Sequence, residues 1–317
     1  MLTSIELCAG LGGQALGLEQ AGFEHLALVE NDRHACASLR LNRPEWNVVE
    51  HDLFEPYDFT QFGDVDLLAG GLPCPPFSKA GKQLGQSDDR NLFTRGVEIA
   101  KRIQPKAIMF ENVRGMLDAV FDDYRDWIEV QLRREGYRVA WKLLNASDFG
   151  VPQLRPRVVM VGLKRQFARN FNFDFDKKMP LTVGETLVDL MEKNGWLSAR
   201  EWARNADKIA PTLVGGSKKH GGPDLGPTRA RQAWAELGVE GRTIADDSPE
   251  VDHFGMPRLT VRMAARIQGF PDSWEIYGKK TAAYRQVGNA FPPPVAQAVA
   301  EKIAAALVSR KVMATTE

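Results

Sequence analysis

The sequence predicts a doubly wound α/β fold with a mostly parallel sheet, joined to a smaller, loop-rich domain. Three observations carry that expectation. Through residue 163, short apolar segments alternate with stretches of helical spacing. A glycine cluster, Gly10-Leu11-Gly12-Gly13, sits directly between the first apolar segment and the first helical one, where such sheets bind ligands. Between residues 170 and 257 the alternation stops, and Gly215-Gly216, Gly221-Gly222-Pro223 and Gly226-Pro227 punctuate the chain.

Each element follows in order. Ser4 to Cys8 is a strand ending in the glycine cluster, and Gln14 to Ala21 a helix. His25 to Val29 is a strand, Arg33 to Leu41 a helix, and Glu50-His51-Asp52 ends a third strand. Asp64 to Ala69 is a buried strand interrupted by glycine and proline. Asn91 to Ile103 is helical, Ala107 to Phe110 extended, and Asp123 to Glu135 helical. Arg138 to Leu144 and Arg157 to Leu163 close the set as strands. From Pro292, the spacing of Val295, Val299, Ile303 and Leu307 marks a final helix.

Composition narrows the class. A length of 317 residues suits about two domains. Hydrophobic residues at 44% and charged residues at 26% exclude wholesale disorder and a fibrous repeat. No apolar run approaches a membrane span, and no basic segment precedes an apolar core as in a signal peptide. Cys8, Cys36 and Cys74 are too few for a disulfide scaffold or a typical structural zinc site, so no metal and a reducing, cytoplasmic setting are expected. The net charge is zero, but residues 1–72 hold three basic residues against twelve acidic ones. Residues 73–106 and 200–232 each hold seven basic against three acidic. A chain polarised this way can turn a basic face to a polyanion; solvated surface produces the same pattern.

Four motifs carry chemistry. Glycines at a strand–helix turn let the backbone approach a ligand, and Glu30, at the end of the second strand, can accept hydrogen bonds from ribose hydroxyls. Asp52 can read an adenine amino group. The spacing departs from the strict dinucleotide fingerprint, since Gly17 stands in place of the third glycine, and a tight turn with surface acids is the plainer alternative. Next, Pro73-Cys74-Pro75-Pro76-Phe77-Ser78 holds a cysteine on a proline-framed loop at a strand end. Lys79, Lys82, Arg90 and Arg95 follow closely, and nearby cations favour a thiolate; an inert loop cysteine is the alternative. Glu111, at a strand end, can take a raised pKa and protonate a substrate nitrogen. Arg155 and Arg157 alternate beside a strand and can point together at a phosphate or a polar ring, or simply be solvated.

Together these motifs resemble the cytosine-5 DNA methyltransferase family along nearly the whole chain. Leu7-Cys8-Ala9-Gly10-Leu11-Gly12-Gly13 resembles its cofactor loop, and Pro73-Cys74 with Phe77-Ser78 its nucleophile loop. Glu111-Asn112-Val113, Gln153-Leu154-Arg155-Pro156-Arg157, Arg258-Leu259-Thr260 with Gln268-Gly269-Phe270-Pro271, and Gln286-Val287-Gly288-Asn289-Ala290 match further motifs in the family's order. Two departures stand out: the family usually has an aromatic at Cys8 and often a tryptophan at Asn31.

The resemblance implies a Rossmann-like class I fold, dependent on S-adenosyl-L-methionine, that methylates carbon 5 of a flipped-out cytosine in double-stranded DNA. It implies Cys74 as nucleophile, Glu111 at the ring nitrogen, and Arg157, supported by Arg155, at the cytosine carbonyl. It implies a cofactor site of Leu7, Cys8, Ala9, Gly10, Gly12, Gly13, Glu30, Asn31, Asp52, Leu53, Pro73, Leu92, Asn289 and Ala290. DNA contacts fall to Ser78, Lys82, Gln83, Arg90, Thr212, Leu213, Lys218, Lys219, His220, Arg229 and Arg231. Residues 1–178 with 273–317 would form the catalytic domain and 179–272 the target-recognition domain. A monomer is expected, with a separately acting restriction endonuclease as candidate partner. A tRNA cytosine-5 methyltransferase, a nicotinamide-dependent oxidoreductase and a catalytically silent DNA-binding relative are the rival readings. The oxidoreductase gives no reason for Pro73-Cys74 or Glu111-Asn112-Val113, and intact Cys74, Glu111 and Arg157 weigh against the silent relative.

Overall fold

A computed structural model of the chain describes residues 1–73, 91–215 and 223–313. Cys74, Ser78, Lys82, Gln83, Arg90, Lys218, Lys219 and His220 lie outside the described residues.

Strand β1 (Leu2–Leu7) leads into helix α1 (Gly13–Gln20), then β2 (Phe23–Glu30), α2 (Arg33–Asn42), β3 (Val48–Glu50) and β4 (Leu67–Gly70). Helix α3 (Leu92–Ile103), β5 (Ala107–Val113), α4 (Asp122–Arg134), β6 (Tyr137–Asn145) and β7 (Pro156–Lys164) complete the sheet region. The strands form one seven-stranded sheet in the order β3-β2-β1-β4-β5-β7-β6. β1 to β5 run parallel, and β7 and β6 are antiparallel to their neighbours. The carboxyl ends of β1, β4 and β5 and the amino end of β7 therefore meet at one edge.

Alternation along the strands divides the core. In β5, Ile108 and Phe110 face Phe93 and Val97 of α3 and Ile128 of α4. Ala107 and Met109 face the other layer, with Leu18 of α1 and Val295, Val299 and Ile303 of α10 (Pro293–Met313). Gly17 lies in that second layer. A Cβ there would stand 2.6 Å from both Ala296 Cβ and Pro293 O, so α1 and α10 can pack this closely only across a glycine. Gly17 therefore serves helix packing rather than the turn.

Side-chain caps set several boundaries. Asp32 accepts from the N–H groups of His34 and Ala35, and Asn91 from those of Phe93 and Thr94. The strand expected from Asp64 begins only at Leu67, Cys8 lies just beyond β1, and two further boundaries need correction. β5 runs on through Glu111, Asn112 and Val113, which pair with Val159, Val158 and Arg157. The third strand stops at Glu50, so Asp52 lies beyond it, and its Oδ1 accepts from the Phe54 N–H.

Residues 179–272 are more helical than their irregular pattern suggested. They hold α5 (Val183–Glu192), α6 (Ala199–Asn205), α7 (Thr228–Ala235) and α8 (Val261–Ile267), followed by α9 (Lys280–Asn289). These helices are only seven to ten residues long, too short for a sustained period. Thr182 and Glu185 form a capping box at the start of α5, a Thr-x-x-Glu signal present in the sequence. Their core, including Leu187, Trp202, Trp234, Leu259 and Trp274, is continuous with Leu11, Ala15, Leu28 and Leu39 below the cofactor-loop region. Among the described residues, no helix is long and apolar enough to cross a membrane.

Candidate active site

The strand ends surround a cavity of about 760 Å³. It is lined by Cys8, Ala9, Gly10, Gly13, Glu30, Asn31, Asp52, Leu53, Pro73, Leu92, Asn289 and Ala290, and also by Glu111 and Arg157. The two groups of residues that the sequence assigned to different tasks thus share one continuous space.

The acidic wall is built by β1, β2 and the loop between β1 and α1. Glu30, 9% exposed, accepts from the Gly10 N–H through Oε2 at 2.7 Å. Its Oε1 accepts from the N–H groups of Asn31 and Asp32 at 2.9 and 2.8 Å. This one side chain ties the glycine loop to the end of β2. Burial raises its pKa, opposed by the three backbone donors. Cys8 adopts φ +55°, an unusual left-handed conformation outside glycine, and Gly10 follows at the same φ. Burial first, then Glu30, Glu6 and Asp52, push the Cys8 thiol pKa up.

Glu6 was missed by sequence reading. It also lines the cavity, is fully buried, and its Oε2 has no hydrogen-bond partner among the described residues. Burial, then the Glu30 charge, hold its pKa well above the carboxylate range. The signal was an acid inside an apolar strand immediately before the glycine loop, a position where a polar residue needs a reason.

A second wall comes from β5 and β7. Glu111 pairs with Val159, which places Arg157, two residues along β7, on the same face as its diagonal neighbour. Arg157 Nε meets Glu111 Oε1 at 2.8 Å, both side chains being mostly buried. Burial raises the Glu111 pKa and outweighs the lowering by Arg157 and then Arg155. Asn112 Nδ2 donates to Leu72 O at 2.8 Å, and a Cβ on Gly71 would stand 3.4 Å from Glu111 Oε2. The backbone leading to Cys74 is therefore anchored beside Glu111.

Five expectations change. The Leu7 side chain is in the core with Ile5 and Val29 and does not line the cavity. Gly12 turns away from it: a Cβ there would meet Leu39 Cδ2 at 2.6 Å and Trp274 at 3.1 Å, and φ is +86°. Arg155 does not point alongside Arg157. Strand alternation begins only at Pro156, and the Arg155 guanidinium, 0% exposed, donates to the carbonyls of Leu213, Gly288 and Ala290. Leu213 is fully buried, so its side chain is no surface for DNA. Finally, Arg95 is not a free cation: it donates to Leu53 O and pairs with Glu98.

Thr212 lines the cavity, and its hydroxyl donates to Leu154 O. Arg229 and Arg231 sit on α7 rather than on an irregular loop; Arg229 is exposed, and Arg231 packs its stem against Gly241. Among the described residues, no cluster of three or more His, Cys, Asp or Glu could hold a metal ion.

Comparison with known proteins adds the family. A profile of the C-5 cytosine-specific DNA methylase family matches residues 2–305. The chain is 52% identical over 313 residues to the type II methyltransferase M.NgoMIV of Neisseria gonorrhoeae, covering 96% of this chain and 98% of that one. It is 53% identical over 311 residues to M.NaeI of Lentzea aerocolonigenes, covering 96% and 75%. Its fold superposes on a triple variant of Spodoptera frugiperda DNMT2 with a TM-score of 0.68 at 17% identity, over 96% of this chain and 99% of that one.

Proposed function

Since the chain belongs to the C-5 cytosine-specific DNA methylase family, a group of enzymes that methylate cytosine in DNA from S-adenosyl-L-methionine, we propose that it does so through a covalent Cys74 adduct on a flipped-out base. The observation that carries this reading is the shared cavity: the acids suited to the cofactor and the Glu111–Arg157 pair line the same space.

The residues fit the cofactor. Its ribose would offer hydroxyls to Glu30 and its adenine an amino group to Asp52, and Glu6, whose Oε2 has no hydrogen-bond partner among the described residues, lines the same cavity. Leu53 and Leu92 offer apolar contact where Cys8 and Asn31 supply no aromatic ring. When bound, the cofactor supplies an electrophilic methyl group on a sulfonium.

Carbon 5 of cytosine is a poor nucleophile, and the side chains address that directly. The Cys74 thiolate forms a bond to carbon 6, and the ring electrons move toward nitrogen 3. Glu111 places a proton there, and Arg157 holds the exocyclic carbonyl. Carbon 5 becomes electron-rich and is methylated; removal of its proton then restores the double bond and expels the Cys74 thiolate. The target lies within the duplex stack, so it must be extruded at a cost of a few kcal/mol, which contacts to phosphates and the orphaned partner base offset. Residues 179–272 serve as the target-recognition domain, with Thr212, Lys218, Lys219, His220, Arg229 and Arg231 toward DNA and Ser78, Lys82, Gln83 and Arg90 on the catalytic side. The enzyme works as a cytoplasmic monomer, beside a restriction endonuclease that acts separately.

The test is to incubate duplex DNA and tRNA separately with protein and cofactor, and read both by bisulfite sequencing. Protected cytosines confined to one duplex sequence are expected; methylation of tRNA alone refutes the DNA reading. Glu30→Ala should also weaken S-adenosylhomocysteine binding by about 1.5–3 kcal/mol, because hydrogen bonds to a charged group and the tie to Gly10 vanish together. Calorimetry showing unchanged affinity would remove Glu30 from the site.

A further inference from the structure

We propose that Arg155 is a positioning residue that couples cofactor binding to DNA binding, by tying the wall of the cofactor cavity to the base of the target-recognition segment. This rests on the function proposed above. The Arg155 guanidinium donates to Leu213 O at 2.7 Å, Gly288 O at 2.8 Å and Ala290 O at 3.0 Å. Leu213 begins the strip 213–215, beyond which the chain continues to the cationic residues Lys218, Lys219 and His220. Gly288 and Ala290 flank Asn289 at the end of α9. Leu213, Gly215, Gly288, Asn289 and Ala290 all line the cavity.

The seam between the two strips leaves no slack. A Cβ on Gly215 would stand 2.1 Å from Asn289 Oδ1, and one on Gly288 would stand 2.5 Å from Gly215 Cα. Neither strip can shift without moving the other. Gln153 reinforces the link: its Oε1 accepts from the Leu213 N–H, and its Nε2 donates to Gln268 Oε1. Gln268 donates in turn to Ala290 O, which closes a ring of hydrogen bonds around Arg155.

A cation buried on carbonyls is an expensive way to gain stability. Burial, then Arg157, pull the Arg155 pKa down to about 9. Replacing such a buried charge by apolar packing often costs nothing, so its use here points to specific geometry. A planar guanidinium with a fixed fork of donors can hold three carbonyls; the single ammonium of lysine cannot reproduce that arrangement.

Coupling of two ligands is reciprocal, which makes the idea measurable. Saturating S-adenosylhomocysteine should tighten binding of target duplex to the wild type about 5–150-fold, and the duplex should tighten the cofactor product by the same factor. In Arg155→Lys, each ligand alone should bind within about threefold of wild type, while the coupling factor falls toward one. An unchanged factor in that variant overturns the proposal. So does a factor of one in the wild type, or loss of both binary affinities in Arg155→Lys in step with a lowered Tm, the mark of a merely structural residue. Should Arg155→Lys fail to melt cooperatively, hydrogen exchange on the wild type decides. S-adenosylhomocysteine alone should then slow exchange in residues 211–215 as well as 288–291, and protection confined to 288–291 overturns the coupling. A wild type that binds neither ligand refutes the functional reading itself.

Discussion

Cys74→Ser protein should still bind duplex DNA and cofactor product, yet its turnover should fall on the order of 10⁴-fold or more, as when other covalent enzymes lose their nucleophile. Serine keeps the size but not the chemistry, because an alkoxide is far less accessible than a thiolate near neutral pH. The placement of the preceding chain supports the choice. β4 ends at Gly70, Leu72 is buried with its carbonyl held by Asn112, and Pro73 lines the cavity. The other two cysteines have different surroundings: Cys36 is buried in α2, and at Cys8 burial first, then the neighbouring acids, disfavours the thiolate. A duplex carrying 5-fluorocytosine at the target should leave a stable adduct on the wild type. After methyl transfer, fluorine cannot leave as a proton does, so the thiolate cannot be expelled, and the covalent complex should survive denaturation. An active Cys74→Ser enzyme, or no adduct by intact-mass measurement, would sink the assignment.

Glu111→Gln should lower kcat/KM about 10²–10³-fold, within the range typical of a lost general acid. The amide keeps the shape and can offer a hydrogen bond, but it cannot deliver a proton to ring nitrogen 3. The pH profile separates proton delivery from mere packing. The Glu111 pKa is raised, chiefly by burial, against the lowering effects of Arg157 and Arg155. Its protonated form therefore persists to higher pH than in an ordinary glutamate, and activity that needs that proton falls as pH rises through the raised pKa. The variant should lose that descending limb. A Glu111→Gln enzyme within a few-fold of wild type, or one retaining the same descending limb, would show that the proton comes from elsewhere. DNA binding measured in parallel should stay within about threefold, since the loss is expected in the transition state rather than in the ground state.

Local pattern made much of the site legible. Glu30, Glu111 and the glycine loop were readable because each lies in or directly after an apolar strand, and parallel strands in such sheets direct their carboxyl ends to one edge. The small domain was harder to read. Its helices are short, and Trp196, Trp202 and Trp234 are held among neighbours that come from several separate segments.

By itself, the sequence determined the order of strands and helices through residue 164, the glycine turn, the proline-framed Cys74 and the family motifs. All of these are set by neighbours a few residues apart: periodicity, backbone freedom at glycine, and restriction at proline. Only the tertiary structure decided which polar side chains reach the cavity. Arg155 and Arg157 are two residues apart and look equivalent in the chain. One donates to carbonyls 58, 133 and 135 residues away, and the other faces Glu111 through the register of an antiparallel pair. Gly17 and Gly215 likewise look like turn residues, yet each is there because another segment passes within van der Waals reach. Such partners depend on how elements distant in sequence stack, and the free energy of that stacking is not written in any one stretch of chain.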